Sequence, residues 1–231
     1  MMKVGIIGAM EEEVTILKKQ LQSARHTVIA GYEFSEGTLV GREVVLVKSG
    51  IGKVNAAVAT TLLLQLFKPD AVLNTGSAGG IGENLEVGTV VLSKNVTHHD
   101  VDVTAFGYAL GQVPGGPVTY TADDNLLLVA AKAVEDIGKH AHASGLIASG
   151  DVFMSDPARV YQVKQQFPEL IAAEMEAAAV AQVCHEYQVP FVVIRALSDI
   201  AGKESSLSFD EFLPAAAQHS SEVVLQVISK L

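Results

Sequence analysis

The sequence is poor in cysteine, in arginine, in charge and in long apolar runs. Cys184 is the one cysteine among 231 residues, so no disulfide can form within the chain. Lys and Arg number 16 against 26 Asp and Glu, a formal charge of −10. Four of the cations are arginines: Arg25, Arg42, Arg159 and Arg195. Phosphate backbones and anionic membranes repel such a chain, so nucleic acid is not an expected partner. No stretch approaches the ~18 apolar residues of a membrane span. The first residues have a short apolar part like that of a signal peptide, but Glu11-Glu12-Glu13 stand where a small-residue cleavage site belongs. The expectation is a cytoplasmic protein.

What is present is apolar. Hydrophobic residues make up 49% and charged residues 18%, with a mean hydropathy of +0.32. Such a chain hides much of its surface, in a large core, a subunit interface, or both. Its length is ample for one core and short for two, so residues 1–231 are expected to form a single domain.

Short continuous apolar runs recur at residues 4–7, 44–47, 71–73, 90–92, 146–148 and 191–194, each ending near Gly, Ser, Asn or Asp. Runs without polar alternation are strands covered on both faces. Helical spacing lies between them. Val14, Leu17 and Leu21 make one apolar stripe, and Val54, Ala57, Val58 and Leu62 a second. Leu126, Leu127, Ala130, Val134 and Ile137 make a third, with Asp123 as its cap. Asp156-Pro157 reads as an N-cap followed by proline at the first helical position. Residues 177–184 read as a buried helix, and Ser208 to Glu211 as a capping box opening the last one. Residues 32–40 and 43–48 read as a hairpin. The fold class is α/β: one three-layer α/β/α domain around a mixed central sheet.

In such sheets ligands gather at the carboxyl ends of the strands. Those ends carry glycines and recurrent carboxylates. Glu13 follows the first run, Glu174 and Glu176 flank Met175, and Ser198-Asp199 close the most apolar strand. Acids converging on that face suit general acid/base work at a glycosidic bond. Each also has a plainer reading, as helix-dipole complement, exposed turn or cap. Glu13 is set apart from Glu11 and Glu12 because Ile16 and Leu17, three and four residues on, are both apolar. Partial burial of Asp199 would raise its pKa and let it donate a proton. A carboxylate at 174 or 176 would sit beside the amino end of the Ala-rich helix and stay ionised there.

Other signals are weak. Residues 76–80 lack the Gly-Lys-Ser/Thr ending of a P-loop, and residues 5–10 lack dinucleotide spacing. His98 and His99 are adjacent, and neighbours on a strand point to opposite faces, so no metal site is expected. Cys184 sits in an apolar helical run as a core thiol.

Seven stretches, taken together, resemble the 5′-methylthioadenosine/S-adenosylhomocysteine nucleosidase family, within the nucleoside phosphorylase superfamily. They are residues 5–13 (GIIGAMEEE), 48–54 (KSGIGKV), 74–80 (NTGSAGG), 99–108 (HDVDVTAFGY), 149–153 (SGDVF), 174–176 (EME) and 195–199 (RALSD). They span nearly the whole chain in the family's order. The resemblance implies hydrolysis of the bond between adenine N9 and the ribose anomeric carbon, without a cofactor, in methionine salvage. The implied substrates are 5′-methylthioadenosine, S-adenosylhomocysteine and 5′-deoxyadenosine.

On that resemblance Glu13 would activate water, Asp199 would protonate adenine N7, and Ser198 would position Asp199. Glu176 would bind the 2′-hydroxyl and stabilise positive charge on the sugar, flanked by Glu174 and Met175. Phe153 would stack on adenine, with backbone groups of Phe153 and Met154 holding it. Ala9, Ser77 and Gly79 would line the site near the water and base. Met10, Ile51 and Phe209 would supply an apolar 5′ pocket. A partner subunit would complete it with Val103, Phe106, Tyr108 and Pro114, which explains a Gly/Pro-containing excursion at residues 101–117 and makes the protein a homodimer.

Two rivals stand beside this reading. A phosphorolytic relative would need arginines where this chain has Glu11-Glu12-Glu13 and Asn74, and a glutamate in an anion site repels phosphate. A non-catalytic adenosine-binding module would need no water-activating base.

Overall fold

The structure, a computed structural model, describes residues 2–203 and 205–231, with the side chains of 205–208 excepted. The chain opens with β1 (Val4–Gly8), α1 (Glu11–Gln20), β2 (Gln22–Ile29), β3 (Tyr32–Leu39) and β4 (Arg42–Lys48). Then come α2 (Lys53–Leu62), with a further helical turn at Leu63–Phe67, β5 (Ala71–Gly80) and β6 (Val90–His98). The second half runs β7 (Tyr120–Thr121), α3 (Asp124–Ile137), β8 (His142–Ser149), α4 (Pro157–Gln166), β9 (Leu170–Glu174), α5 (Ala177–Tyr187), β10 (Phe191–Ile200) and α6 (Ser205–Lys230).

The strands form one mixed sheet, ordered β10-β6-β8-β9-β5-β1-β4-β3-β2. β5 also pairs with β10, so that half of the sheet closes on itself. β1, β4, β5 and β10 run parallel, bringing their carboxyl ends to one side. Their apolar runs are fully buried, as continuous hydrophobic strands require. α6 packs on β5 and β10 beside α1 and α3, while α5 packs on α2 and on β6 and β8, completing the helical layers.

One strand is added to the expected hairpin, and two expectations change. β2 is a mostly polar, almost wholly exposed edge strand without a continuous apolar run. It is held by a tight turn in which Ala30 and Gly31 both have positive φ, the conformation that matches hairpin twist. The Val54 and Val58 stripe of α2 faces outward, those residues being 74% and 39% exposed. Small Ala56, Ala59 and Thr60 face inward instead, allowing α2 to lie close against α5. The last helix begins by Ser205, ahead of the expected capping box. The Ser208 side chain of that box lies outside the described residues. The Asp123 and Asp156 caps are present, accepting from the N–H of Leu126 and Ala158. Among the described residues no helix is long and apolar enough to cross a membrane.

Candidate active site

The carboxyl ends of the strands surround a cavity of about 370 Å³. The loop after β1 contributes Ala9, Met10 and Glu13, and the loop after β4 contributes Ile51. Ser77, Ala78 and Gly79 enter from the end of β5, and Phe153 from the loop after β8. Ala173, Glu174, Met175 and Glu176 come from the end of β9, Ser198 and Asp199 from β10, and Phe209 and Asp210 from α6. Thus three acids far apart in sequence, Glu13, Glu176 and Asp199, face one space. A larger, open depression of about 710 Å³ lies around Tyr120, His185 and Phe191, at the opposite end of β10. None of these three acids reaches it.

Glu13 is the third residue of α1 and reaches back over its helix start. Its Oε2 accepts from the N–H of Ala9 at 2.7 Å and of Met10 at 3.1 Å. Its Oε1 accepts from the N–H of Ser77 at 2.9 Å and from Ser77 Oγ at 3.1 Å. Four donors on two oxygens lock an acid that is 1% exposed. Gly76 makes this possible: a Cβ there would collide with Arg195 Nη1 and stand 2.6 Å from Glu13 Oε1.

Asp199 owes its aim to an irregularity. The pairing of β10 with β5 shifts between Leu197 and Asp199, leaving Ser198 as an extra residue. Consecutive strand residues ordinarily point to opposite faces; the bulge lets both Ser198 and Asp199 line the cavity. Ser198 Oγ donates to Asp199 Oδ1 at 2.9 Å. Burial raises the pKa of Asp199, and the Ser198 hydrogen bond only partly opposes it.

Glu174 and Glu176 divide the work differently from the sequence expectation. Glu174 takes the amino end of α5: its Oε2 accepts from the N–H of Glu176 at 3.0 Å and of Ala177 at 2.8 Å. Ser149 Oγ donates to its other oxygen. Glu176 is not held ionised by the helix. Burial and the neighbouring Glu174 charge push its pKa up to about 8, against the pull of Arg195 and the Gly52 N–H.

The sequence alone gives Arg195 no role. It is fully buried, with Nη2 at 2.5 Å from Glu174 Oε2, 2.8 Å from Asn74 Oδ1 and 3.6 Å from Glu176 Oε2. Burial opposes its charge, but Glu174, Glu176 and Glu13 together raise its pKa. A lone arginine inside the most apolar strand was the available signal, because a buried charge needs partners.

The Met154 side chain is not among those that line the cavity. It packs in a small core with Val163 and Phe167, and the Met154 carbonyl accepts from the Gly202 N–H. Phe153 is 42% exposed and meets Phe209 edge to face, with ring centroids 5.6 Å apart. Val103, Phe106, Tyr108 and Pro114 lie away from this cavity, and Phe106 is 82% exposed. Among the described residues no group of three His, Cys, Asp or Glu is placed to hold a metal ion. Cys184 is buried, and desolvation pushes its thiol up to about 12.

The arrangement can do acid/base chemistry around one small, partly apolar ligand. Asp199 can hold a proton, Glu13 can accept one, and Glu176 gains stabilisation from any cation placed beside it.

Comparison with known proteins agrees in fold and family. The profile of the phosphorylase superfamily matches residues 3–229. The 5′-methylthioadenosine/S-adenosylhomocysteine nucleosidase of Lysinibacillus sphaericus is 62% identical over 230 residues, covering 100% of both chains. The crystal structure of the corresponding Colwellia psychrerythraea nucleosidase with adenine is 50% identical, with a TM-score of 0.98, over 100% of this chain and 96% of that one. The Neisseria meningitidis nucleosidase with methylthio-immucillin-A is 46% identical, with a TM-score of 0.98 and 100% of both chains covered.

Proposed function

The chain belongs to the 5′-methylthioadenosine/S-adenosylhomocysteine nucleosidase family of the phosphorylase superfamily, and on that premise we propose how its cavity works. The enzyme hydrolyses the N-glycosidic bond of 5′-methylthioadenosine and S-adenosylhomocysteine and releases adenine. 5′-Deoxyadenosine, which shares the apolar 5′ end, is a further substrate.

Glu13 activates the attacking water. Its carboxylate is fixed by four donors, so it is pre-oriented and needs no rearrangement during reaction. Asp199 protonates N7 of the departing adenine. Burial raises its pKa, the direction a proton donor needs. Glu176 faces the sugar. As the glycosidic bond loosens, positive charge grows on the ring, and an ionised carboxylate there stabilises it. The substrate's developing cation draws Glu176 back towards the ionised form that burial disfavours. Phe153 stacks on adenine, while Met10, Ile51 and Phe209 pack on the 5′ thioether.

The observation that carries this reading is the convergence of Glu13, Glu176 and Asp199 on one cavity of about 370 Å³ beside an exposed Phe153. The test is adenine release assayed with and without phosphate. Equal rates are expected; strict dependence on phosphate would make the enzyme a phosphorylase.

The protein works as a single-domain, cytoplasmic homodimer. The outward Val54 and Val58 of α2 and the bare Phe106 are apolar groups of the kind that subunit contacts cover. The excursion at residues 101–117 reaches the partner's 5′ pocket through Val103, Phe106, Tyr108 and Pro114. One continuous sheet through all ten strands supports the single domain.

A further inference from the structure

Helix α2 has no cap of its own, because its N-cap residue is Gly52. The acceptor for its first N–H comes from a loop 98 residues away: Asp151 Oδ1 takes the N–H of Lys53 at 2.8 Å. The N–H of Asp151 donates to Asp100 Oδ2 at 3.0 Å. Asp100 Oδ1 holds Lys53 Nζ at 2.6 Å, closing a ring of three residues from three strand ends. One peptide before Lys53, the N–H of Gly52 donates to Glu176 Oε1 at 2.9 Å.

Glycine leaves the backbone free to rotate, and Gly52 has φ 96°. Any side chain there would be strained at that φ, and its Cβ would stand 3.1 Å from Asp151 Oδ1, closer than ordinary contact. Something outside the loop must therefore fix the Gly52–Lys53 peptide, and through the Gly52 Cα the preceding Ile51–Gly52 peptide, whose N–H serves Glu176. Asp151 is placed to do it, and Asp100 and Lys53 hold Asp151.

We propose that Asp151 is a positioning residue for Glu176, acting through Gly52, whose two flanking peptides bond to Asp151 and to Glu176, with Asp100 and Lys53 as its support. This rests on the reading of Glu176 as the ribose ligand. It also ties the ribose carboxylate to Asp100, the residue from which the excursion at 101–117 departs.

The experiment measures kcat/KM for 5′-methylthioadenosine and for its 2′-deoxy analogue. The ratio of the two reports how well the protein grips the 2′-hydroxyl, whatever the overall activity. Asp151→Ala is expected to shrink that ratio by about fivefold or more, on the order of one lost hydrogen bond. Asp151→Asn keeps an oxygen for the Lys53 N–H and restores the ratio to within about twofold. Glu176→Gln is measured alongside and is expected to shrink the ratio too. If Glu176→Gln leaves the ratio unchanged, the ribose reading itself fails. If Glu176→Gln shrinks it and folded Asp151→Ala does not, the positioning proposal is overturned, even where overall activity falls. Should Asp151→Ala not fold, Asp100→Ala reads the same ratio: a decrease supports the proposal and an unchanged value overturns it.

Discussion

Arg195 Nη2 lies 2.5 Å from Glu174 Oε2, a buried ion pair at the back of the cavity. Two more carboxylates, Glu176 and Glu13, face the same guanidinium. Burial, and then the neighbouring Glu174 charge, push Glu176 towards its protonated form, and one cation among three acids offsets this only in part. A cationic sugar supplies what is missing.

Removing the cation should be costly. Arg195→Met leaves Glu174 buried without its partner and is expected to destabilise the fold by about 3–5 kcal/mol, measured by urea unfolding. The double variant Arg195→Met with Glu174→Gln should recover part of that loss, because the second change removes the orphaned charge. A double variant no more stable than the single one would mean that the pair does not carry the effect.

Asp199→Asn should release adenine about 10²–10⁴-fold more slowly, the usual contribution of a general acid. Equilibrium dialysis should still detect a bound nucleoside, since the substituted amide keeps the cavity's shape. Turnover like that of the unmodified enzyme would remove Asp199 from the chemistry.

The pH dependence of stability follows from Glu176. Its folded-state pKa, about 8, lies above the ordinary 4.5. A carboxyl raised in this way contributes its full stability below the unfolded pKa of about 4.5 and loses it as pH rises through about 8. Glu176→Gln, which never ionises, should therefore gain Tm over the parent protein as pH goes from about 5 to about 9. Calorimetry across that range checks it, and a Tm difference independent of pH would contradict it.

The proposed interface can be tested at two points. Val54→Asp places a charge on the outward stripe of α2 and should shift the sedimenting species from dimer to monomer. Phe106→Ala should raise KM for 5′-methylthioadenosine more than for adenosine, which lacks the thioether. Equal effects on both substrates would separate the excursion from the 5′ pocket.

Much of this was legible in the residues, for physical reasons. Buried parallel strands read as unbroken apolar runs, and their ends are marked by the glycines and acids that meet a ligand. Glu13 declared itself through the apolar residues that follow it on α1. Edge strand β2 did not, because pairing there depends on backbone and turn geometry, not on a buried face. The α2 stripe misleads because periodicity identifies an apolar face without saying what covers it. Arg195 and Asp151 escaped because their roles exist only once loops distant in sequence are brought together. The distinction between Glu174 and Glu176 is of the same kind: both flank Met175, but only one is saturated by helix N–H groups and Arg195.

The most direct measurement is a crystal structure with a cationic nucleoside analogue bound. Both acids are expected on the same ligand molecule, with Asp199 bonded to the heterocycle at N7 and Glu13 holding a water on the anomeric carbon's open face. A ligand that meets Asp199 while Glu13 contacts neither it nor such a water would contradict the division of labour between them.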